Sequence, residues 1–228
     1  MANYRIRMKS EKAAEIMIYD DIGESWFGGI SAKQFAEDLK ALGKDIVTLQ
    51  VRINSPGGDV FDAMAMYNTL RRHNARKEVS IDGMALSAAT VVAMAGDKIS
   101  MAENAMFMIH NPWSITMGTA EDMRAQADVL DQVRENIVTT YERRTKNDGE
   151  HIRALMDAET WMRGGQAMEE GFVDEVTKDL AIAAHFDPTR FKNVPPELRS
   201  AVQKKAHTPR ADLVRARTRE LAQRAGRL

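Results

Sequence analysis

The sequence predicts an α/β protein, built from stacked β-α-β units whose strands form a largely parallel sheet. Short apolar strands alternate with amphipathic helices through links of a few residues, the pattern that parallel crossover units require. The links carry turn chemistry rather than long irregular stretches. A chain of 228 residues, 44% hydrophobic and 29% charged, has the balance of one globular domain with an appendage.

The first strand spans 14–19 and closes in a turn at Asp20, Asp21 and Gly23. Ser31 is placed to cap a helix carrying Phe35, Leu39 and Leu42 at helical spacing, with Gly43 at its end. A strand over 46–53 leads into the turn residues 54–58, and a helix follows over about 60–73. The next strand spans 79–82, and the small-residue run 87–95 reads as a buried helix. Strands are expected at 98–101 and 105–109. A long helix over 120–146 follows, with Met123, Ala127, Leu130, Val133, Ile137 and Tyr141 along one side. At ~40 Å it is longer than a domain of this size needs internally, so its stripe lies either on its own core or on a neighbouring subunit. A helix at 150–157, a short helix at 164–171 closed by Gly171, and a last strand at 172–176 complete the body.

Composition changes near Pro188, dividing a 1–185 body from a 186–228 extension. The extension holds 11 Lys and Arg against 4 Asp and Glu, a net +7, while the body is acidic. It contains Pro188, Pro195, Pro196 and Pro209 and ends in a basic helical segment over 211–224. Its charges are diluted by Ala and Leu and it shows no aromatic stacking pattern, so nucleic-acid binding is not expected. The chain has no cysteine, which excludes disulfides, thiolate metal sites and a cysteine nucleophile. Residues 1–12 carry Arg5, Arg7, Lys9 and Lys12 with no apolar run behind them, unlike a secretory signal. The longest apolar stretch, 84–96, is too short to span a bilayer, and the cytoplasm is the expected compartment.

Three segments carry chemistry. Asn54-Ser55-Pro56-Gly57-Gly58 follows a strand and precedes a helix, where glycines leave the Gly58 amide unshielded. Ser87 lies among Gly83, Ala85, Ala88 and Ala89 where a strand hands over to a helix, and the Ala88 amide follows it. His110 ends an apolar strand before Asn111 and Pro112. Singly, these read as a Pro-Gly turn, a capping serine and a strand-end histidine. Together they supply the hydroxyl nucleophile, the base and the oxyanion donors that acyl transfer needs. The other histidines, His73, His151, His185 and His207, read as surface residues without metal-ligand spacing, so neither a metal nor another cofactor is expected.

In this order the motifs resemble those of the Clp protease proteolytic subunit family, ClpP, particularly its phage and prophage members of the head-maturation type. The resemblance runs over 14–176: Ile53 to Gly58 matches the oxyanion segment, Gly83 to Ala88 the nucleophile motif, and Met108 to Pro112 the histidine motif. Glu169-Glu170-Gly171-Phe172-Val173-Asp174 resembles the closing signature. The resemblance implies a crotonase-like spiral of β-β-α units with the 120–146 helix as a projecting handle between stacked homo-oligomeric rings. It further implies Ser87 as nucleophile, His110 as base, and the Gly58 and Ala88 amides as the oxyanion hole. The third member departs from the family: counting back from Gly171 puts Glu159 where an aspartate is expected and Trp161 where a phenylalanine is. Asp157, two residues earlier and on the same side of an extended segment, is the second candidate.

The expected function is a serine endopeptidase acting on extended or unfolded polypeptide, in phage capsid maturation or in turnover with a Clp ATPase. A catalytically silent ring subunit is the alternative. A crotonase-type acyl-CoA enzyme would not need the Ser87–His110 pair.

Overall fold

The computed structural model describes residues 4–24, 29–179, 187–196 and 198–199. The chain divides into two units, Met1–Ala184 and His185–Leu228. In the second unit the described residues form a 3-10 turn, Pro188–Arg190, where the Thr189 amide donates to the Asp187 carboxylate at 2.9 Å. The helix expected over 211–224 lies outside the described residues.

The first unit runs β1 (Tyr4–Ser10), β2 (Ala13–Ile18), α1 (Ala32–Ala41), β3 (Thr48–Ser55), α2 (Val60–Arg72), β4 (Arg76–Leu86), α3 (Ala88–Ala93), β5 (Lys98–Ala102) and β6 (Met106–Ile109). It continues with α4 (Ala120–Thr145), α5 (Gly149–Asp157), β7 (Thr160–Met162), α6 (Gly164–Glu169) and β8 (Glu175–Thr177). The sheet order is β1-β2-β3-β4-β5-β8, parallel from β2 to β8, with β1 antiparallel at the edge. No helix among the described residues is long and apolar enough to cross a membrane.

Strand alternation builds the core. Ile16, Ile18, Leu49, Val51, Ile53, Val79, Ile81, Ile99 and Met101 are buried together with Phe35 and Leu39 of α1 and Met66 and Leu70 of α2. Each such aliphatic side chain contributes about 1.5–3 kcal/mol of transfer free energy. The intervening residues Gln50, Arg52, Glu78, Ser80 and Ser100 line a polar cavity of about 320 Å³. There Asp82 is buried and accepts from Arg52 Nε at 2.7 Å and from the Tyr19 hydroxyl.

The structure departs from the sequence reading at three elements. Residues 4–10 form β1, although their alternation of Tyr4, Ile6 and Met8 with Arg5, Arg7 and Lys9 has strand period. Strand β4 is much longer than 79–82, because Gly83, Met84 and Ala85 continue it through the core. The last strand begins at Glu175 rather than at residue 172: Phe172 is instead a core plug, edge-on to Tyr141 at 5.4 Å between ring centroids. The long helix α4 is continuous and, as the family resemblance implies, is packed along only part of its length. Val133, Ile137 and Tyr141 are buried, whereas Met123 is 50% exposed and Val129 42%. Its first half therefore projects by about 20 Å with its apolar side chains uncovered.

Strand β1 is fixed by a cross-strand pair, Arg7 opposite Glu15, whose Nε donates to Glu15 Oε1 at 2.7 Å. Burial works to raise the Glu15 pKa, but the Arg7 guanidinium and the Lys9 ammonium outweigh it and hold the carboxyl below its ordinary value. A folded value below the unfolded one gives stabilisation that is full above the unfolded value and is lost as pH falls through the folded one. Thermal unfolding followed from about pH 5 down to about pH 2 should therefore decline less steeply for Glu15→Gln than for the parent protein. Equal slopes would show that the pair contributes no acid sensitivity.

Candidate active site

Ladder register brings Ser87, His110 and Glu159 together. Strand β4 pairs with β6 in parallel, with Leu86 opposite Met108, and β6 pairs with β7 antiparallel, with Ile109 opposite Thr160. One step beyond the β6–β7 ladder sets His110 opposite Glu159. Ser87 lies one residue past the last β4 pair and His110 two residues past its β6 partner, which brings the three side by side. His110 Nε2 lies 2.7 Å from Ser87 Oγ, and His110 Nδ1 lies 3.8 Å from Glu159 Oε2. Both the His110 and Glu159 side chains are largely buried, at 11% and 7% exposure. Trp161 Nε1 donates to the other carboxylate oxygen, Glu159 Oε1, at 3.3 Å.

Ser87 stands at a sharp strand-to-helix turn with φ 54° and ψ −127°. A positive φ is rare for any residue with a Cβ. Its surroundings hold it there. The Ser87 amide donates to Met108 O at 2.8 Å, and the Thr90 hydroxyl donates to Ser87 O at 2.5 Å. The Tyr141 hydroxyl in turn lies 2.6 Å from Thr90 Oγ1, and burial pushes that phenol's pKa up, so it remains a neutral donor.

The Gly57-Gly58 segment packs against this turn. Gly57 has φ 92°, and a Cβ there would lie 2.5 Å from Leu86 O, 2.9 Å from Ser87 Cβ and 3.0 Å from the Ala88 nitrogen. Gly58 has φ 145°, and a Cβ would lie 2.0 Å from Ile22 O. Both positions therefore require glycine. Ile22 holds the segment from one side, donating to Gly57 O at 2.8 Å and accepting from the Asp59 amide at 2.8 Å. Backbone alternation then turns the Gly58 amide away from Ile22. The Ala88 amide is the first N–H of α3, where no intrahelical acceptor exists. The arrangement offers an activated hydroxyl beside two backbone donors, a geometry suited to acyl transfer.

Asp157 does not face His110 Nδ1. The 157–159 segment is not extended: Asp157 closes α5, Ala158 caps it, and Glu159 turns the chain at φ 49°. Asp157 instead accepts through Oδ1 from Asn111 Nδ2 at 2.8 Å and from Arg134 Nη2 at 2.7 Å. Sequence reasoning gave no role to Thr90, Tyr141, Asn111, Arg134 or Trp161. Asn111 and Trp161 carried a signal as neighbours of motif positions, and Tyr141 only as an apolar position of the long helix. Among the other histidines, His73 is half-buried rather than on the surface. Its Nδ1 accepts from the Ala75 amide at 3.1 Å, and burial with Lys77 nearby lowers its pKa. His151 pairs with Glu170 at 2.7 Å, and His185 and His207 lie outside the described residues.

The Clp protease family model matches residues 2–179. An ATP-dependent Clp protease proteolytic subunit of Deinococcus radiodurans is 32% identical over 130 residues, which cover 56% of this chain and 64% of that one. The corresponding subunit of Streptococcus pneumoniae is 29% identical over 178 residues, covering 76% and 89%. Among solved structures, a mutant ClpP1 from Listeria monocytogenes superposes with a TM-score of 0.63 at 21% identity, over 74% of this chain and 92% of that one, a likeness of fold. The family match spans β1 through β8, the whole sheet and all three segments gathered around Ser87, and the chain belongs to the Clp protease family.

Proposed function

We propose that the protein is a serine endopeptidase acting on extended or unfolded polypeptide. One observation carries this reading: the 2.7 Å contact between Ser87 Oγ and His110 Nε2 at a strained turn beside the Gly57-Gly58 backbone. Ser87 Oγ attacks the scissile carbonyl while His110 Nε2 takes its proton. The amides of Gly58 and Ala88 hold the tetrahedral oxyanion, and the imidazolium then protonates the leaving amine. Water hydrolyses the remaining ester by the same route. Glu159 orients His110 and stabilises its cation. Their separation of 3.8 Å is longer than a hydrogen bond. It favours the silent-subunit alternative only if it persists with substrate bound, since catalytic contacts in unliganded enzymes commonly tighten on binding.

Assembly follows from α4. Its first half exposes Met123 and Val129, and the preceding loop exposes Trp113 at 60%, Ile115 at 84% and Met117 at 92%. Another copy of the chain covers this surface in homo-oligomeric rings. The basic extension of 186–228 favours a phage setting with capsid proteins as partners, and a Clp ATPase is the partner under the turnover reading. A fluorophosphonate probe, with native mass measurement of the particle, tests the reading. The expected result is a single adduct on Ser87 in a ring-sized assembly; assembled protein that stays unlabelled would favour the silent subunit.

A further inference from the structure

The projecting helix α4 touches the chemistry at a second place. Arg134 lies in the first turn of its packed half, beside the buried Val133. Its Nη2 donates to Asp157 Oδ1 at 2.7 Å, and the same oxygen accepts from Asn111 Nδ2 at 2.8 Å. Asn111 follows His110 directly, and Asp157 precedes Glu159 by two residues. One carboxylate oxygen thus ties together α4, the segment bearing His110 and the segment bearing Glu159.

We propose that Arg134, Asp157 and Asn111 form a clamp that sets the position of the His110 ring relative to Ser87 and Glu159. None of the three touches the reacting atoms; they are positioning residues, and the role rests on the peptidase reading above. Two details give the clamp its leverage. Asn111 Oδ1 and Arg134 Nε are buried without partners, and both side chains are tied to the site through their hydrogen bonds to Asp157. Asn111 is joined directly to His110 through the backbone, so a tether on its side chain acts on the ring. The Asp157 side chain is 56% exposed and that of Arg134 25%, so their ion pair adds little to global stability. Its removal should move the ring without unfolding the protein.

The test compares Asp157→Ala, Arg134→Ala and the double variant with the parent protein, and adds Asp157→Asn, which keeps an acceptor for Asn111. In the first two, kcat is expected to fall by about tenfold through a displaced base, with KM held within about twofold and Tm unchanged. The double variant should lose no more than either single one, because both break the same link. Asp157→Asn should recover part of the loss. The NMR signal of ¹³C-labelled His110, read on the same proteins, should shift or broaden in Asp157→Ala. This second readout does not depend on turnover. If the parent protein cleaves nothing, the peptidase reading fails while the His110 signal still decides the clamp. An unmoved His110 signal overturns the clamp, whether or not kcat has changed, and so do additive losses in the double variant.

Discussion

Replacing Ser87 with glycine is expected to abolish peptide cleavage and to leave the protein more stable than the alanine variant at the same position. Loss of the nucleophile should lower kcat by about a millionfold in both variants, since removing one member of a Ser-His pair costs nearly as much as removing the whole unit. Both also lose the hydroxyl that lies 2.7 Å from His110 Nε2. They differ in the backbone. Ser87 holds φ 54° and ψ −127°, a conformation in which a Cβ costs of order 1–3 kcal/mol. Alanine keeps that strain and glycine removes it, while glycine loses about 0.5–1 kcal/mol through its greater freedom in the unfolded chain. The net gain is about 1 kcal/mol, or a rise in Tm of about 2–4 °C for a chain of this length. Calorimetry of the two inactive variants measures it. A glycine variant no more stable than the alanine one would mean that the Ser87 turn stores no strain.

That strain explains why the site was only partly legible in the sequence. Small residues around Ser87 signalled a close approach, and the paired glycines at 57 and 58 signalled backbone that no side chain tolerates. Both are local properties, written in residue type. The largely parallel sheet was legible for the same reason: strands alternating with helices through short links leave few other topologies. What was hidden lies in ladders and in long-range contacts. Whether β4 stops at residue 82 or runs to Leu86 depends on β6 pairing with its second half, a contact between segments distant in the chain. The conformation of 157–159 was hidden too, because the non-glycine residue Glu159 adopts φ 49° and no composition rule announces that. The support that Tyr141 gives Thr90, 51 residues away, leaves no trace in periodicity beyond a buried position on a helix.

Glu159→Gln is the variant with the largest effect outside the nucleophile–base pair. The carboxylate faces His110 Nδ1 at 3.8 Å, with its other oxygen held by Trp161 Nε1. During attack His110 becomes a cation, and a buried carboxylate beside it stabilises that charge; a neutral amide does not. The amide can also turn its NH₂ toward Nδ1 and favour the tautomer that cannot accept the Ser87 proton. Together these effects should lower kcat by about 10³- to 10⁴-fold, with KM little altered, because the charge develops only in the transition state. Asp157→Asn should stay within about tenfold of the parent, since that carboxylate reaches His110 only through Asn111. Glu159→Asp separates distance from charge. It keeps the anion but withdraws it by one methylene, so activity above that of Glu159→Gln would assign the effect to charge, and equal loss would assign it to reach. An inactive Asp157→Asn beside a fully active Glu159→Gln would transfer the third role to Asp157. It would also require the 157–159 segment to reshape when substrate binds, because α5 as it stands turns Asp157 toward Arg134.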